Sequence, residues 1–239
     1  MEQTSTQSKF AVNTPVAIII ASVIIGGAVI WGNGRRTLAP TAGATAQQQA
    51  QTADVNKVKI ANEPFIGSAN APVTMVYWYD YQCPFCQRHE QTAMPQIVKD
   101  YVDAGKLKIV FKDYQFLGPD SQTLGKFSHA VWELAPDKFY RWHKAVYDNQ
   151  GTENTGWATQ EKIVSITNGV LGADMTTKVM QLVKINGDEY QKEMDDDREE
   201  GTSLGINGTP GSIIGKQLIS GAVSYADFKS AIDAALNAK

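Results

Sequence analysis

The pattern of hydrophobic and polar residues divides the chain into three parts. Residues 10–34 carry no charged side chain and contain a dense apolar run, Val16–Trp31. Residues 36–62 are rich in Thr, Ala and Gln and show no helical or strand periodicity. From Pro64 onward, short runs of β-branched and aromatic residues alternate with segments of helical periodicity. This alternation predicts an α/β domain.

The uncharged N-terminal stretch predicts one transmembrane helix within residues 1–35, because a spanning helix needs about 17–25 predominantly apolar residues. A cleaved signal peptide is the alternative. Its apolar core is usually only about 7–15 residues long, and the small-residue triplet Ala42-Gly43-Ala44 lies well beyond the apolar run. Lys9 before the span and Arg35-Arg36 after it leave the orientation of the helix open.

These boundaries define the predicted domain organisation. Residues 1–35 form the N-terminal segment with the membrane anchor, and residues 36–62 form a flexible tether. The folded domain spans residues 63–239, and residues 121–203 form a helical insertion within it.

A strand, a helix and a second strand open the folded domain. Val73–Tyr79 is a β-branched and aromatic run of strand length, and a segment that tolerates a helix follows Cys86. Pro95 lies inside this helix and is expected to kink it, and Asp103–Gly105 is expected to end it. Leu107–Tyr114 is the second strand, and the spacing of the three elements predicts a parallel βαβ unit.

The middle of the domain is predicted to be helical, and its end to form a hairpin and a last helix. Two short apolar runs on either side of Gly215-Lys216 indicate the β-hairpin. The amphipathic pattern of Tyr225–Asn237 predicts the last helix. Turn signals, among them Asn186-Gly187, divide residues 121–203 into five predicted helices. These helices are Ser121–Leu134, Pro136–Asp148, Thr159–Asn168, Asp174–Lys184 and Gly187–Ser203.

The composition is that of a globular protein and narrows the functional classes. The formal net charge of -3 provides no basic surface for a nucleic acid. Cys83 and Cys86 are the only two cysteines, so none remains for a structural disulfide elsewhere. A zinc site needs about four ligands. His89, His129 and His143 are the only histidines available to join the pair, so zinc is disfavoured.

Cys83 and Cys86, separated by Pro84 and Phe85, carry the candidate chemistry. They lie at a predicted strand-to-helix junction, where free N–H groups and the partial positive charge of the helix terminus favour a thiolate. Cys83 is therefore predicted to be a nucleophile of low pKa, and Cys86 its resolving partner on the same helix face. We predict no metal and no cofactor besides this redox-active disulfide. His89, one turn further on, is expected on the helix surface.

Six segments of the chain together resemble the thioredoxin-fold oxidoreductases of the DsbA type, and they occur in the order found in that family. The resemblance covers roughly residues 64–238 and implies a thioredoxin-like fold whose helical domain is inserted at residues 121–203. It also implies that Pro210 follows a cis peptide bond and faces the cysteines, and that Thr209 pairs its backbone with an extended substrate peptide. The six segments are Ala71–Thr74, Asp80–Cys86, Phe111–Tyr114, Leu117–Ser121, Gly205–Pro210 and Ile219–Ala222.

The chain departs from the family pattern near the cysteines. Many relatives carry a buried acidic residue six positions before the first cysteine, where this chain has Tyr77. The proton relay is therefore either absent or rebuilt, with Asp80 as one candidate. Pro84 and Phe85, which tune the redox pair, include no histidine of the kind found in the most oxidising relatives. This implies a lowered pKa of the first cysteine but a less extreme oxidant.

The predicted function is that of a membrane-anchored protein thiol–disulfide oxidoreductase. By resemblance, its catalytic domain lies on the extracytoplasmic side of the cell membrane and donates the Cys83–Cys86 disulfide to exported proteins. A quinone-linked membrane enzyme of the DsbB or vitamin-K-epoxide-reductase type reoxidises it. A disulfide reductase or isomerase on the same fold is the alternative, distinguished by its redox potential. A non-enzymatic membrane-tethered chaperone or binding module is a further alternative.

Overall fold

The computed structural model describes residues 52–238, and a five-stranded sheet lies at the centre of this region. Its strands are β1 Phe65–Ile66, β2 Val73–Tyr79, β3 Leu107–Asp113, β4 Gly211–Ile214 and β5 Gln217–Ser220. The spatial order is β1-β3-β2-β4-β5. β2 and β3 pair in parallel, and the other neighbours are antiparallel. The predicted parallel βαβ unit and the predicted hairpin are therefore confirmed.

Six α-helices surround this sheet in the described range. The first helix connects β2 to β3, runs past Pro95 and continues as a π-helical turn at Val98–Val102. The last helix has the bounds that the sequence predicts, and Ser224 and Asp227 cap its N-terminus reciprocally. The six helices are α1 Pro84–Ile97, α2 Pro119–Leu134, α3 Phe139–Asp148, α4 Gln160–Leu171, α5 Ala173–Ser203 and α6 Tyr225–Asn237.

Helix α5 is one continuous helix of 31 residues, whereas the sequence predicts two helices separated at Asn186-Gly187. Asn-Gly signals a turn because glycine readily adopts a positive φ, but Gly187 does not adopt one here. A glycine inside a helix costs about 1 kcal/mol relative to alanine. Burial of Val179 on one side of the glycine, and of Tyr190 and Met194 on the other, offsets this cost.

Alternate residues of β2 face opposite sides of the sheet, as the pleat of a strand requires. Met75, Tyr77 and Tyr79 are buried in the larger hydrophobic cluster, which also contains residues of the helices. Val76 and Trp78 are buried in a smaller cluster on the other face. The odd-numbered side chains of β2 therefore share a core with α1, the helix that begins at the cysteine motif.

The C-terminal end of α5 crosses the sheet at Trp78. The indole Nε1–H of Trp78 donates a hydrogen bond to the carbonyl oxygen of Asp197 at 3.1 Å. At Gly201, a Cβ atom would lie only 2.7 Å from the Trp78 Nε1 atom. A glycine at this position therefore allows the close approach of helix and sheet.

Lys112 on β3 ties the same end of α5 to the sheet. Its side chain is 3% exposed and lies 2.6 Å from the carboxylate of Glu63 and 3.2 Å from that of Glu200. It also pairs with the buried carboxylate of Asp197. One buried ammonium group thus interacts with three carboxylates from two segments of the chain, which lowers the cost of holding these charges out of water.

The predicted tether, residues 36–62, ends earlier than the sequence indicates. Within residues 52–62, Thr52 forms a β-bridge with Gln217 at the edge strand β5. Val58 is buried in the smaller hydrophobic cluster. Residues 52–62 are therefore part of the folded domain, because their apolar side chains cover the second face of the sheet.

The predicted transmembrane helix within residues 1–35, like the first part of the predicted tether, lies outside the described residues. Between residues 52 and 238, no helix combines the length and apolar character needed to cross a bilayer.

Candidate active site

The two cysteines lie where the chain passes from β2 to α1. Cys83 is the N-terminal cap residue of α1, and Pro84 occupies the first helical position, where a missing N–H costs no hydrogen bond. The Cys83 N–H donates to the Asp80 carbonyl oxygen at 3.1 Å, and the Gln87 N–H donates to the Cys83 carbonyl oxygen at 3.1 Å. The turn before the helix and the first turn of the helix therefore hold Cys83 from both sides.

Asp80 anchors this turn rather than serving the cysteines. Its buried carboxylate accepts hydrogen bonds from the backbone N–H groups of Gln82 at 2.7 Å, Phe116 at 2.8 Å and Leu117 at 2.9 Å. The Ser121 hydroxyl donates a fourth at 2.5 Å. Burial raises the pKa of Asp80, and these hydrogen bonds oppose that rise. With both oxygens occupied, Asp80 is poorly suited to be the relay residue that the sequence offers as a candidate.

The two sulfur atoms differ in pKa. The pKa of Cys83 is lowered to about 6, mainly by a hydrogen bond from the Cys86 thiol, with further contributions from Thr209 and from the backbone N–H groups of Cys86 and Phe85. The pKa of Cys86 is raised well above its usual value, because the thiol is fully buried and lies beside the Cys83 sulfur. At neutral pH the reduced pair therefore consists of a Cys83 thiolate and a Cys86 thiol.

A distant loop completes the site. The Thr209–Pro210 peptide bond is cis, and Cys83 Sγ lies 3.3 Å from the Thr209 carbonyl oxygen. β4 follows this loop and pairs with β2, with Gly211 opposite Trp78. The sheet thus brings together the four positions that the sequence singles out, Cys83, Cys86, Thr209 and Pro210, although 126 residues separate Cys83 from Thr209.

Exposed aromatic side chains lie near the cysteines. Phe85, the residue between Pro84 and Cys86, is 53% exposed, and the Arg88 guanidinium lies 4.9 Å from the centre of its ring. Phe116 is 41% exposed and neighbours Leu117 in the loop held by Asp80. Phe85 is one of the positions that the sequence singles out, whereas Phe116 is not. The signal that could have identified Phe116 is an aromatic side chain two residues after the predicted strand Leu107–Tyr114.

A buried polar cluster lies behind Cys86, and the sequence does not predict it. Glu90 is 1% exposed, and its Oε1 lies 3.2 Å from His143 Nε2 on α3. His89 is fully buried rather than on the helix surface, and its ring centre lies 5.2 Å from that of Tyr77 and 4.8 Å from that of Phe228. Burial lowers the pKa of His89 to about 4. Glu and His side chains are seldom fully buried, so the sequence gives no sign that these two lie in the core.

A match to known proteins covers most of the described range. Residues 59–234 match the family model described as Thioredoxin. The chain belongs to the thioredoxin family. One curated relative is the disulfide bond formation protein D of Bacillus subtilis (strain 168), which is 28% identical over 197 residues. These residues are 80% of this chain and 85% of the relative. A probable disulfide bond formation protein D of Bacillus anthracis is 26% identical over 169 residues, covering 70% and 76%.

Solved structures of the thioredoxin family show the same architecture. Oxidised BdbD from Bacillus subtilis matches with a TM-score of 0.70 and 24% identity, covering 79% of this chain and 98% of that one. The thiol-disulfide exchange protein alpha-DsbA2 from Wolbachia pipientis matches with a TM-score of 0.64 and 26% identity, covering 73% and 87%. The chain therefore has a thioredoxin-like α/β fold with a helical insertion and is a protein thiol–disulfide oxidoreductase of the DsbA type.

The reaction of such a thioredoxin-family oxidoreductase is carried by the two cysteines. A disulfide that becomes a dithiol takes up two electrons and two protons on the sulfur atoms themselves, so the redox-active disulfide is the redox group. Between residues 52 and 238, no three His, Cys, Asp or Glu side chains are grouped as metal ligands.

Proposed function

We propose that this protein is an extracytoplasmic dithiol oxidase that donates its Cys83–Cys86 disulfide to exported proteins. The observation that carries the proposal is the position of Cys83 as the N-terminal cap of α1, where hydrogen bonds from the Cys86 thiol and from backbone N–H groups lower its pKa to about 6. A stabilised thiolate favours the reduced form of the enzyme, which makes its disulfide a stronger oxidant of other thiols. In the reductase thioredoxin the corresponding cysteine has a higher pKa, about 7.

The reaction proceeds in two exchange steps. A substrate thiolate attacks Cys83 Sγ, the Cys83–Cys86 bond breaks, and a substrate–Cys83 mixed disulfide forms while Cys86 leaves and takes up a proton. A second substrate thiolate then attacks the substrate sulfur of the mixed disulfide and releases Cys83 as a thiolate. The substrate loses two electrons and gains a disulfide, and the enzyme becomes a dithiol. The low pKa of Cys83 makes it a good leaving group in the second step.

The surroundings of Cys83 support binding of an extended, partly apolar peptide. The Thr209 backbone lies beside the Cys83 sulfur, so a substrate strand paired with it places its own sulfur near Cys83. Phe85 and Phe116 offer exposed aromatic surface near the same place. Pro84 and Phe85 shape the helix terminus that stabilises the thiolate. Unfolded exported proteins present such apolar segments before their disulfides form.

The apolar run at residues 16–31 supports a single membrane anchor with the catalytic domain on the extracytoplasmic side. Disulfides persist in that oxidising compartment. Several relatives are named disulfide bond formation protein. A quinone-linked membrane enzyme of the DsbB or vitamin-K-epoxide-reductase type then returns the dithiol to the disulfide. Protease accessibility in spheroplasts that carry the full chain tests the placement.

An oxidation assay tests the catalytic role. The oxidised protein is expected to form disulfides in a reduced, unfolded secretory protein stoichiometrically, and Cys83→Ala is expected to abolish this activity. In Cys86→Ala the Cys83 thiolate can still attack a disulfide of an exported protein and release one of its thiols, but no Cys86 thiol remains to resolve the mixed disulfide, so such adducts are expected to accumulate in cells. The matched control is Ser203→Ala, on the exposed end of α5. A Cys86→Ala protein that traps no exported protein favours the chaperone or binding-module alternative.

A further inference from the structure

Polar atoms without hydrogen-bond partners cluster behind Cys86. Among the described residues, the Tyr77 hydroxyl, Oε2 of Glu90 and both ring nitrogens of His89 are buried and have no partner. Buried polar atoms are nearly always paired, so a group of unpaired ones needs an explanation. A buried glutamate is especially costly unless it is paired with a charge and hydrogen-bonded.

The positions of Tyr77 and Glu90 relate them directly to Cys86. Glu90 follows Cys86 by one helical turn on α1, so both side chains lie on the same buried face. Tyr77 points from β2 towards that face, as its contact with the His89 ring shows. Burial raises the pKa of Tyr77, and negative charge on Cys86 or on Glu90 raises it further whenever either group is ionised. The Tyr77 hydroxyl is therefore close enough to Cys86 and Glu90 to be affected by the charge of either group.

A second set of contacts fixes the Glu90 carboxylate. His143 Nε2 lies 3.2 Å from Glu90 Oε1, and His143 Nδ1 lies 3.0 Å from the Tyr81 hydroxyl. The Tyr81 hydroxyl in turn lies 2.9 Å from Ser128 Oγ. Oε1 of Glu90 is thus held by a series of hydrogen bonds that reaches Ser128 on α2. Oε2 has no hydrogen-bond partner within the described residues.

We propose that Glu90 and Tyr77 form the proton relay of Cys86, with the Glu90 carboxylate as proton acceptor and the Tyr77 hydroxyl as the group that passes the proton. This role rests on the redox function proposed above. The relay acid of this chain then lies on α1, at Glu90, whereas many relatives carry an acid on β2, at the position of Tyr77.

The relay is needed because Cys86 is sealed from solvent. Cys86 has no exposed surface, and its raised pKa keeps it a thiol at neutral pH. When the enzyme is reoxidised, Cys86 attacks Cys83 Sγ of a mixed disulfide, the partner sulfur leaves, and the Cys86 proton passes to Glu90. When a substrate thiolate attacks Cys83, Cys86 leaves and regains a proton from Glu90. Each step moves one proton between the sulfur and the carboxylate.

The other titratable groups that face this cavity are less suited to accept the proton. Burial raises the pKa of Tyr140 and of Tyr147 on α3, so both stay protonated and neutral at physiological pH. Burial lowers the pKa of His89 to about 4, so protonating it is unfavourable. His143 is already engaged by Tyr81 and Glu90.

Reaction with a chromogenic aromatic disulfide separates the two cysteines. Stopped-flow mixing of the reduced protein with 5,5′-dithiobis(2-nitrobenzoate) releases one thiol when Cys83 attacks and a second when Cys86 resolves the mixed disulfide. Glu90→Gln is expected to slow the second phase about 100-fold at neutral pH, the size of a lost acid–base catalyst, and to change the first phase little. The slowing is expected to shrink as pH rises, because hydroxide then deprotonates Cys86.

Two further variants keep the test decisive. Tyr77→Phe removes a hydroxyl that has no hydrogen-bond partner among the described residues, so it is expected to fold with wild-type stability or better and still slow the second phase. If Glu90→Gln does not fold, Tyr77→Phe carries the test. Glu189→Gln on α5 changes an exposed carboxylate and is expected to leave both phases unchanged.

The relay is overturned if a folded Glu90→Gln or Tyr77→Phe protein shows a second phase with the wild-type rate and pH dependence. Absence of any second phase in the wild-type protein instead contradicts the redox function itself, so the two failures are distinguishable.

Discussion

Two cysteines three residues apart have opposite acidities because one caps a helix and the other is buried inside it. Cys83 receives hydrogen bonds from the Cys86 thiol and from the N–H groups of the first helical turn. Cys86 has no exposed surface and faces the sulfur of its partner. The proposed nucleophile and the proposed resolving thiol are therefore distinguished by burial and hydrogen bonding, without a charged side chain at the motif.

The titration of Cys83 follows from this arrangement. Alkylation by iodoacetamide is expected to show a midpoint near pH 6, because the pKa of the Cys83 thiol is lowered to about 6. Cys86→Ala is expected to move that midpoint upward, because the hydrogen bond from Cys86 is the largest contribution to the lowered pKa. Lys192→Ala, an exposed change on α5, serves as the control and leaves the midpoint in place. An unchanged midpoint in Cys86→Ala contradicts this account of the low pKa.

At the scale of elements, α5 links the helical insertion to the sheet and to the rim of the active site. Its first half packs in the larger hydrophobic cluster through Val179, and its end crosses the sheet at Trp78. The Arg198 guanidinium lies about 6 Å above the ring of Phe116, in the loop held by Asp80. The loop that carries Thr209 and Pro210 follows directly, so the placement of α5 controls the placement of that loop.

The ion cluster around Lys112 is expected to hold the end of α5 in place. Lys112→Ala leaves Glu63, Asp197 and Glu200 without their buried cation and is expected to cost about 3–5 kcal/mol of unfolding free energy at neutral pH. The loss is expected to shrink at acid pH, because burial already raises the pKa of Glu63 and Asp197 and protonation removes their charge.

Urea unfolding of the wild-type protein and of Lys112→Ala, at neutral and at acid pH, measures this loss of unfolding free energy. The matched control is Lys192→Ala, which breaks an exposed pair with Asp196 on the same helix and is expected to cost less than about 1 kcal/mol. Equal losses in the two variants contradict the structural role of the buried cluster.

At the scale of the whole molecule, the sequence predicts those features that depend on local pattern or on a distinctive motif. The β-branched run at Val73–Tyr79 and the amphipathic pattern of Tyr225–Asn237 produce the elements expected of them. The resemblance around Gly205–Pro210 correctly implies a cis bond at Pro210 near the cysteines.

The features that the sequence does not predict depend on tertiary contacts. Asn186-Gly187 has the local signature of a turn, and only packing on both sides of it makes the helix continuous. Val58 belongs to a segment of tether-like composition, yet the open face of the sheet binds it. Glu90 looks like a surface residue until β2, α1 and α3 enclose it with His143.

The redox potential of the Cys83–Cys86 pair tests the central claim, that this protein oxidises other proteins, most directly. The described domain is equilibrated with mixtures of reduced and oxidised glutathione, and the fraction of disulfide is read from trapped thiols. We predict a reduction potential between about −200 mV and about −120 mV. The upper bound is the potential of DsbA, and protein disulfide isomerase, at about −180 mV, lies within the range. A potential near about −270 mV, that of thioredoxin, contradicts the oxidase and favours a reductase.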